Sequence, residues 1–170
     1  LKGMVGIENS EIITSPPGYL RQGFENLFPD KRRVISTLPL AVRFSGRSFP
    51  SFPLSVFSAW KGFTPIIAED TAGKPSGIKI GSSLIKSSPE TEVRINFKRS
   101  ASSFPSISLG DILDEKVPAG LIRDKILVTS GTNTKVMTPV GEMTTSQIQA
   151  TVLENLINDE FITSFRGWKI

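Results

Sequence analysis

The sequence predicts an α/β chain: a mixed, partly antiparallel sheet with flanking helices, in a single domain spanning 1–170. Three observations carry this. Strand-like alternation fills the middle, at Ile78-Lys79-Ile80 and from Glu92 to Phe97. Two segments, Ser51 to Lys61 and Ser146 to Asp159, space their apolar residues at helical intervals. Between Lys125 and Leu156, a strand, a polar loop and a helix follow in the order of a parallel α/β unit.

The first element is a short apolar run, Glu11-Ile12-Ile13, which the breaker cluster Ser15-Pro16-Pro17-Gly18 ends. Tyr19 to Phe28 and Arg33 to Phe44 read as two strands around a turn at Phe28-Pro29-Asp30-Lys31, with Pro39 demoting the second to an edge or broken strand. Ser51 to Lys61 places Pro53 in a first helical turn, and Gly62 is positioned as its C-cap. Gly73 to Gly77 is a turn, and Ser87-Ser88-Pro89 joins the two alternating strands. Leu109 to Leu113 is a helical turn, and Pro118-Ala119-Gly120 punctuates the approach to a buried strand at Ile126–Thr129.

Thr138-Pro139 is a stop before the last helix. That helix opens on a capping signature, Ser146 followed three residues later by Gln149. Ile148, Val152 and Leu156 form its buried stripe, widened by Ala150, Leu153 and Ile157, with Asn155, Asn158 and Asp159 assigned to solvent.

Composition excludes much chemistry. With no Cys there is no disulfide and no thiolate nucleophile or ligand; with no His there is no imidazole base and no Ser-His-Asp triad. No apolar run reaches the roughly 18 residues that span a bilayer. The net charge of +4 is dispersed, and its one compact cluster, Lys31-Arg32-Arg33, reads as a solvated turn rather than a nucleic-acid footprint. Because Leu1 is not an initiator Met, a piece of a longer protein is expected.

Two groups of residues are candidate ligand contacts. Ser130-Gly131-Thr132-Asn133-Thr134 supplies hydroxyls, an amide and a flexible Gly at the end of the expected strand, where small polar ligands meet parallel sheets. Its plainer account is a connecting loop. Arg94 and Asn96 share one face of the alternating strand, followed by Lys98-Arg99, and could form a cationic pocket or simply an exposed sheet face. The candidate ligand-binding set is therefore Arg94, Asn96, Ser130, Thr132 and Asn133. Glu69-Asp70 and Asp111 with Asp114-Glu115 are the available carboxylates; no loop has calcium-site spacing.

Four segments carry a family resemblance, in order. They are Gly23-Phe24-Glu25-Asn26 with Pro29-Asp30 and Arg33-Val34; Arg94 to Phe97 with Phe104-Pro105 and Ser108 to Leu113; Leu121 to Val128; and Thr138-Pro139 with Ile148-Gln149-Ala150 and Leu153-Asn155-Leu156. Together they resemble the C-terminal portion of the second type of CHASE domain, an extracytoplasmic sensor of bacterial cyclases and histidine kinases. The chain departs from that pattern after the strand, which runs on to Thr129-Ser130 before Gly131, at Lys135-Val136-Met137 before Thr-Pro, and at Thr144 to Gln147.

The resemblance implies a non-enzymatic sensory module on the extracytoplasmic side of the membrane, periplasmic or extracellular, with no cofactor. It would relay a small-molecule or protein signal to a cytoplasmic cyclase or kinase through a linked transmembrane segment, as a homodimer. The aromatic and basic residues Phe161, Phe165, Arg166, Trp168 and Lys169 suit a membrane interface. Two other classes remain open: a carboxylate hydrolase or transferase using residues such as Asp111 and Glu142, and an assembly domain pairing through the edge at 92–97.

Overall fold

The computed structural model describes residues 5–11 as a backbone strand, and residues 22–98, 100, 103–130 and 134–162. The expected features at Ile12-Ile13, Ser15 to Gly18, Tyr19 to Arg21, Arg99, Gly131 to Asn133 and Phe165 to Lys169 lie outside the described residues.

The chain is α/β, with antiparallel sheets flanked by four helices. The largest sheet has the order β1-β5-β6-β7, from β1 (Val5–Glu11), β5 (Ile66–Glu69), β6 (Pro75–Ile80) and β7 (Ser83–Lys86). Three ribbons complete it: β2 (Thr37–Pro39) with β8 (Glu92–Arg94), β3 (Ala41–Phe44) with β4 (Arg47–Pro50), and β9 (Lys135–Thr138) with β10 (Gly141–Thr144). Parallel pairing is confined to two isolated bridges among the described residues, Phe24 with Ser51 and Val34 with Met137.

The interruption expected at Pro39 is real: β2 and β3 part at Leu40. The hairpin around Pro29-Asp30 is not. The turn forms, with the Asp30 carboxylate accepting from the N–H groups of Arg32 and Val34 at 2.8 and 2.9 Å. Its described flanks pair elsewhere, however: Phe24 bridges Ser51, β2 finds β8 and β3 finds β4. Ser87 to Pro89 leads into β8 as expected, but it leaves β7 (Ser83–Lys86), a strand that intervenes after Ile80 and pairs with β6.

Helix α1 (Phe52–Lys61) forms as its signals require. The Ser51 hydroxyl accepts from Leu54 N–H, Pro53 occupies the first turn where no N–H partner is needed, and Gly62 ends the helix at φ 73. Gly23 lies so close to α1 that an added Cβ would stand 2.6 Å from Phe52 Cα. Helix α4 (Thr145–Asn158) packs against α1, and Leu54, Phe57, Ile148, Val152, Leu153 and Leu156 join Ile78, Ile85, Val93 and Ile95 in one core.

The capping signature acts two residues earlier than the sequence reading placed it. Thr144 is the N-cap: its hydroxyl accepts from Gln147 N–H at 3.3 Å, and Gln147 Oε1 accepts from Thr144 N–H at 2.9 Å. Both Ser146/Gln149 and Thr144/Gln147 fit the motif. The earlier pair prevails because β10 runs straight into the helix.

The closing parallel unit is the main correction. Residues 125–130 belong to no strand, and Ile126 and Leu127 are exposed rather than buried. A buried parallel strand needs neighbours on its edges, and no described strand lies beside this one. In its place the β9–β10 hairpin turns at Pro139-Val140 and leads into α4. The short helix α2 (Leu109–Leu113) forms where expected, whereas α3 (Ala119–Ile122) falls where the sequence indicated only a break before a strand; neither buries a residue. Among the described residues no helix is long and apolar enough to cross a membrane.

Candidate functional site

The extended segment from β8 to Lys98 alternates as its sequence requires. Val93 and Ile95 face the core, leaving Arg94 and Lys98 exposed and Asn96 half-buried. The expectation that Arg94 and Asn96 share a face agrees with this alternation. One edge of the segment is held by the second strand, with Arg94 opposite Thr37 and Ile95 N–H donating to Ser36 O at 3.0 Å.

The other edge is held by α4 and the residues that follow it. Asn155 is buried at 1% exposure, contrary to its assignment to solvent. Its Oδ1 accepts from Asn96 N–H at 2.8 Å and its Nδ2 donates to Asn96 O at 3.2 Å, so one side chain satisfies both backbone groups of Asn96. Asp159 then takes a left-handed turn at φ 53, which reverses the chain. Lys98 Nζ meets Glu160 Oε1 at 2.6 Å, and Ile162 N–H donates to Arg94 O at 3.1 Å.

Sequence reasoning missed Asn155, yet the signal was present. Asn155 lies seven residues, close to two full turns, beyond Ile148, and so shares its buried face. Gln149 is a second polar residue on the buried side of α4. It is 3% exposed and donates from Nε2 to Glu25 O at 3.2 Å, tying α4 to the segment that enters α1.

Of the second candidate group, Ser130 is exposed at the end of the 125–130 segment, while Thr132 and Asn133 lie outside the described residues. The segment touches the same helix as Asn96 does. Ile126 and Val128 form one wall of an open cleft of about 260 Å³, with Phe104, Leu153, Glu154 and Ile157 among its other lining residues. Both candidate groups thus border α4, Asn96 directly and Ser130 through its neighbour segment.

The carboxylates take structural or solvated positions. The Asp70 carboxylate accepts from the N–H groups of Ala72 and Lys74 at 2.8 and 3.0 Å, closing the turn before β6. The Lys74 and then the Ala72 backbone donors hold its pKa below the ordinary 3.8. Asp111 on α2 and Glu142 on β10 are both exposed. No group of three or more His, Cys, Asp or Glu among the described residues is placed to hold a metal ion. Lys31 and Arg32 lie in an exposed turn.

Comparison with known proteins gives one match. A family model described as the CHASE2 domain matches residues 5–170. No curated protein and no solved structure matches.

Proposed function

The chain belongs to the CHASE2 family, extracellular sensory rather than catalytic domains of signalling receptors, and we propose that it is the sensing module of a membrane-bound bacterial receptor. In this reading it lies outside the cytoplasmic membrane and relays to a cytoplasmic cyclase or kinase domain. The observation that carries the reading is the family match along nearly the whole chain. The expected homodimer and linked transmembrane segment belong to the same proposal, and come from the family's setting rather than from the fold.

The proposal extends to domain organisation: the chain is the C-terminal part of a larger sensor domain. The support is physical. Leu109, Leu113, Leu121, Ile126 and Leu127 are between 41% and 74% exposed, all within one stretch that contains two helices without a buried residue. Apolar side chains gathered this way mark a surface that another part of a protein covers.

The chain's lack of cysteine gives a clean test of location. Ser82, exposed at the tip of the β6–β7 turn, is replaced by Cys in the parent receptor in intact cells. A membrane-impermeant maleimide should label Ser82→Cys without lysis. Labelling only after the cells are broken would overturn the extracytoplasmic assignment.

A further inference from the structure

We infer that Asn155 is a coupling residue, which fastens the C-terminal end of α4 and the segment after it to the Arg94–Lys98 segment that continues β8, so that the two move as one body. Three links in series carry the inference. Paired hydrogen bonds join the buried Asn155 side chain to the half-buried Asn96 backbone, Lys98 pairs with Glu160 at 2.6 Å, and Ile162 N–H reaches back to Arg94 O. Along the strand the links fall at residues 94, 96 and 98. On the helix side they fall at 162, 155 and 160.

The buried link gives the strap an all-or-none character. Separating α4 from the strand leaves the Asn96 N–H and the buried Asn155 amide without these partners at once, while the Asn96 carbonyl keeps the Lys98 N–H at 3.1 Å. A buried polar group that loses its partner incurs its full desolvation cost. Two such groups losing their partners together make partial slippage unfavourable. The helix therefore does not slide along the strand; it moves with it or breaks from it.

The strand's outer face carries Arg94, with Asn96 beside it, while its inner face fixes Val93 and Ile95 in the core. A displacement imposed at Arg94 is thus delivered to the last turn of α4 and to Glu160–Ile162, rather than lost in a flexible join. The use of this strap as a signal path rests on the sensory reading above; the mechanical coupling does not.

Amide hydrogen exchange on the full chain tests the coupling independently of cellular location. In Asn155→Ala, the Asn96 and Ile162 amides should exchange on the order of tenfold to a hundredfold faster, measured relative to the Ile78 amide in β6. Ile162 makes no contact with the Asn155 side chain in the hydrogen-bond pattern, so its acceleration reads coupling rather than a lost local bond. Glu160→Gln is the second variant, a change at a partly exposed ion pair that leaves the core untouched. It should speed both amides by a smaller factor, and adding it to Asn155→Ala should speed them no further, since linked residues are non-additive.

Equal acceleration of Asn96, Ile162 and Ile78 in Asn155→Ala would reduce Asn155 to general stability and overturn the inference. So would a Glu160→Gln variant in which Asn96 is unaffected, because the links would then be independent. If Asn155→Ala fails to fold, the Glu160→Gln result decides. A strap that fails here while Ser82→Cys labels on intact cells would leave the sensory reading standing without this path.

Discussion

The core and the arm at 103–130 contain similar apolar residues and treat them in opposite ways. In the core, α1 and α4 each have a side-chain cap and one buried face, and Leu54, Ile78, Ile148 and Val152 are completely enclosed. In the arm, α2 and α3 have no side-chain cap hydrogen bond, run for five and four residues, and enclose nothing. Helices that short do not persist on propensity; their conformation has to be imposed by what they touch. The contrast teaches that the arm's sequence is written for contacts the described residues do not supply.

Truncating an enclosed leucine and an exposed one gives the largest test of that contrast. Leu54→Ala removes a side chain with 0% exposure between α1 and α4, and should cost about 2–5 kcal/mol of unfolding free energy. Leu113→Ala, at 74% exposure, should stay within about 0.5 kcal/mol in the chain alone. Denaturant titration of both variants reads the difference. Repeating Leu113→Ala in the parent receptor sharpens it: a clearly larger destabilisation there is expected if the rest of the sensor covers the arm. An equally small effect in both settings would break the argument that the arm is an interface.

How much was legible follows the same division. Helix α1 could be read residue by residue, because Ser51, Pro53, the apolar spacing and Gly62 are local signals and all agree. The apolar stripe of α4 was legible for the same reason. Its capping residues were ambiguous by two positions, since two overlapping pairs satisfy one motif and only the arrival of β10 decides between them.

Strand partners were not legible at all. Alternation at Glu92 to Phe97 announces a strand and its inner face, but says nothing of β2, more than fifty residues earlier, as its neighbour. The Ile126–Thr129 misreading is of that kind. The run has the composition of a buried strand, and burial depends on what lies on either side. In the candidate site, Arg94 and Asn96 were found from alternation, whereas Asn155 was hidden by its own polarity.

Capping provides the intermediate test. Thr144→Ala removes the hydroxyl that receives Gln147 N–H and dissolves the reciprocal pair, so thermal unfolding should show a loss of about 1 kcal/mol. Ser108 occupies the matching position before α2 but makes no side-chain cap hydrogen bond. Ser108→Ala should leave stability within about 0.5 kcal/mol of the parent. Equal losses would mean that α2 is held by its cap after all, and that the arm is less dependent on outside contacts than its exposure indicates.

The smallest expected effect separates the two regions by their carboxylates. Asp70, in the turn before β6, is wired to backbone N–H groups, and its pKa is lowered from 3.8 for that reason. A lowered folded-state pKa means that the unfolded chain takes up its proton first as pH falls. The contribution is therefore fully present above 3.8, and is lost as pH drops through the lower folded value. In the arm, Asp114 meets only the Lys116 side chain at 2.8 Å, with both groups at least 60% exposed, a pairing that solvent screens to nearly nothing. Asp70→Asn should thus be less stable than the parent at neutral pH, with the gap closing in acid, while Asp114→Asn should match the parent at neutral pH. Denaturant midpoints recorded from pH 7 down to about pH 2.5 read the Asp70→Asn curve against the linkage expectation, and the pH 7 midpoint reads Asp114→Asn. A gap for Asp70→Asn that does not change with pH would show the turn to be held by backbone geometry alone, and would remove this distinction between sheet and arm.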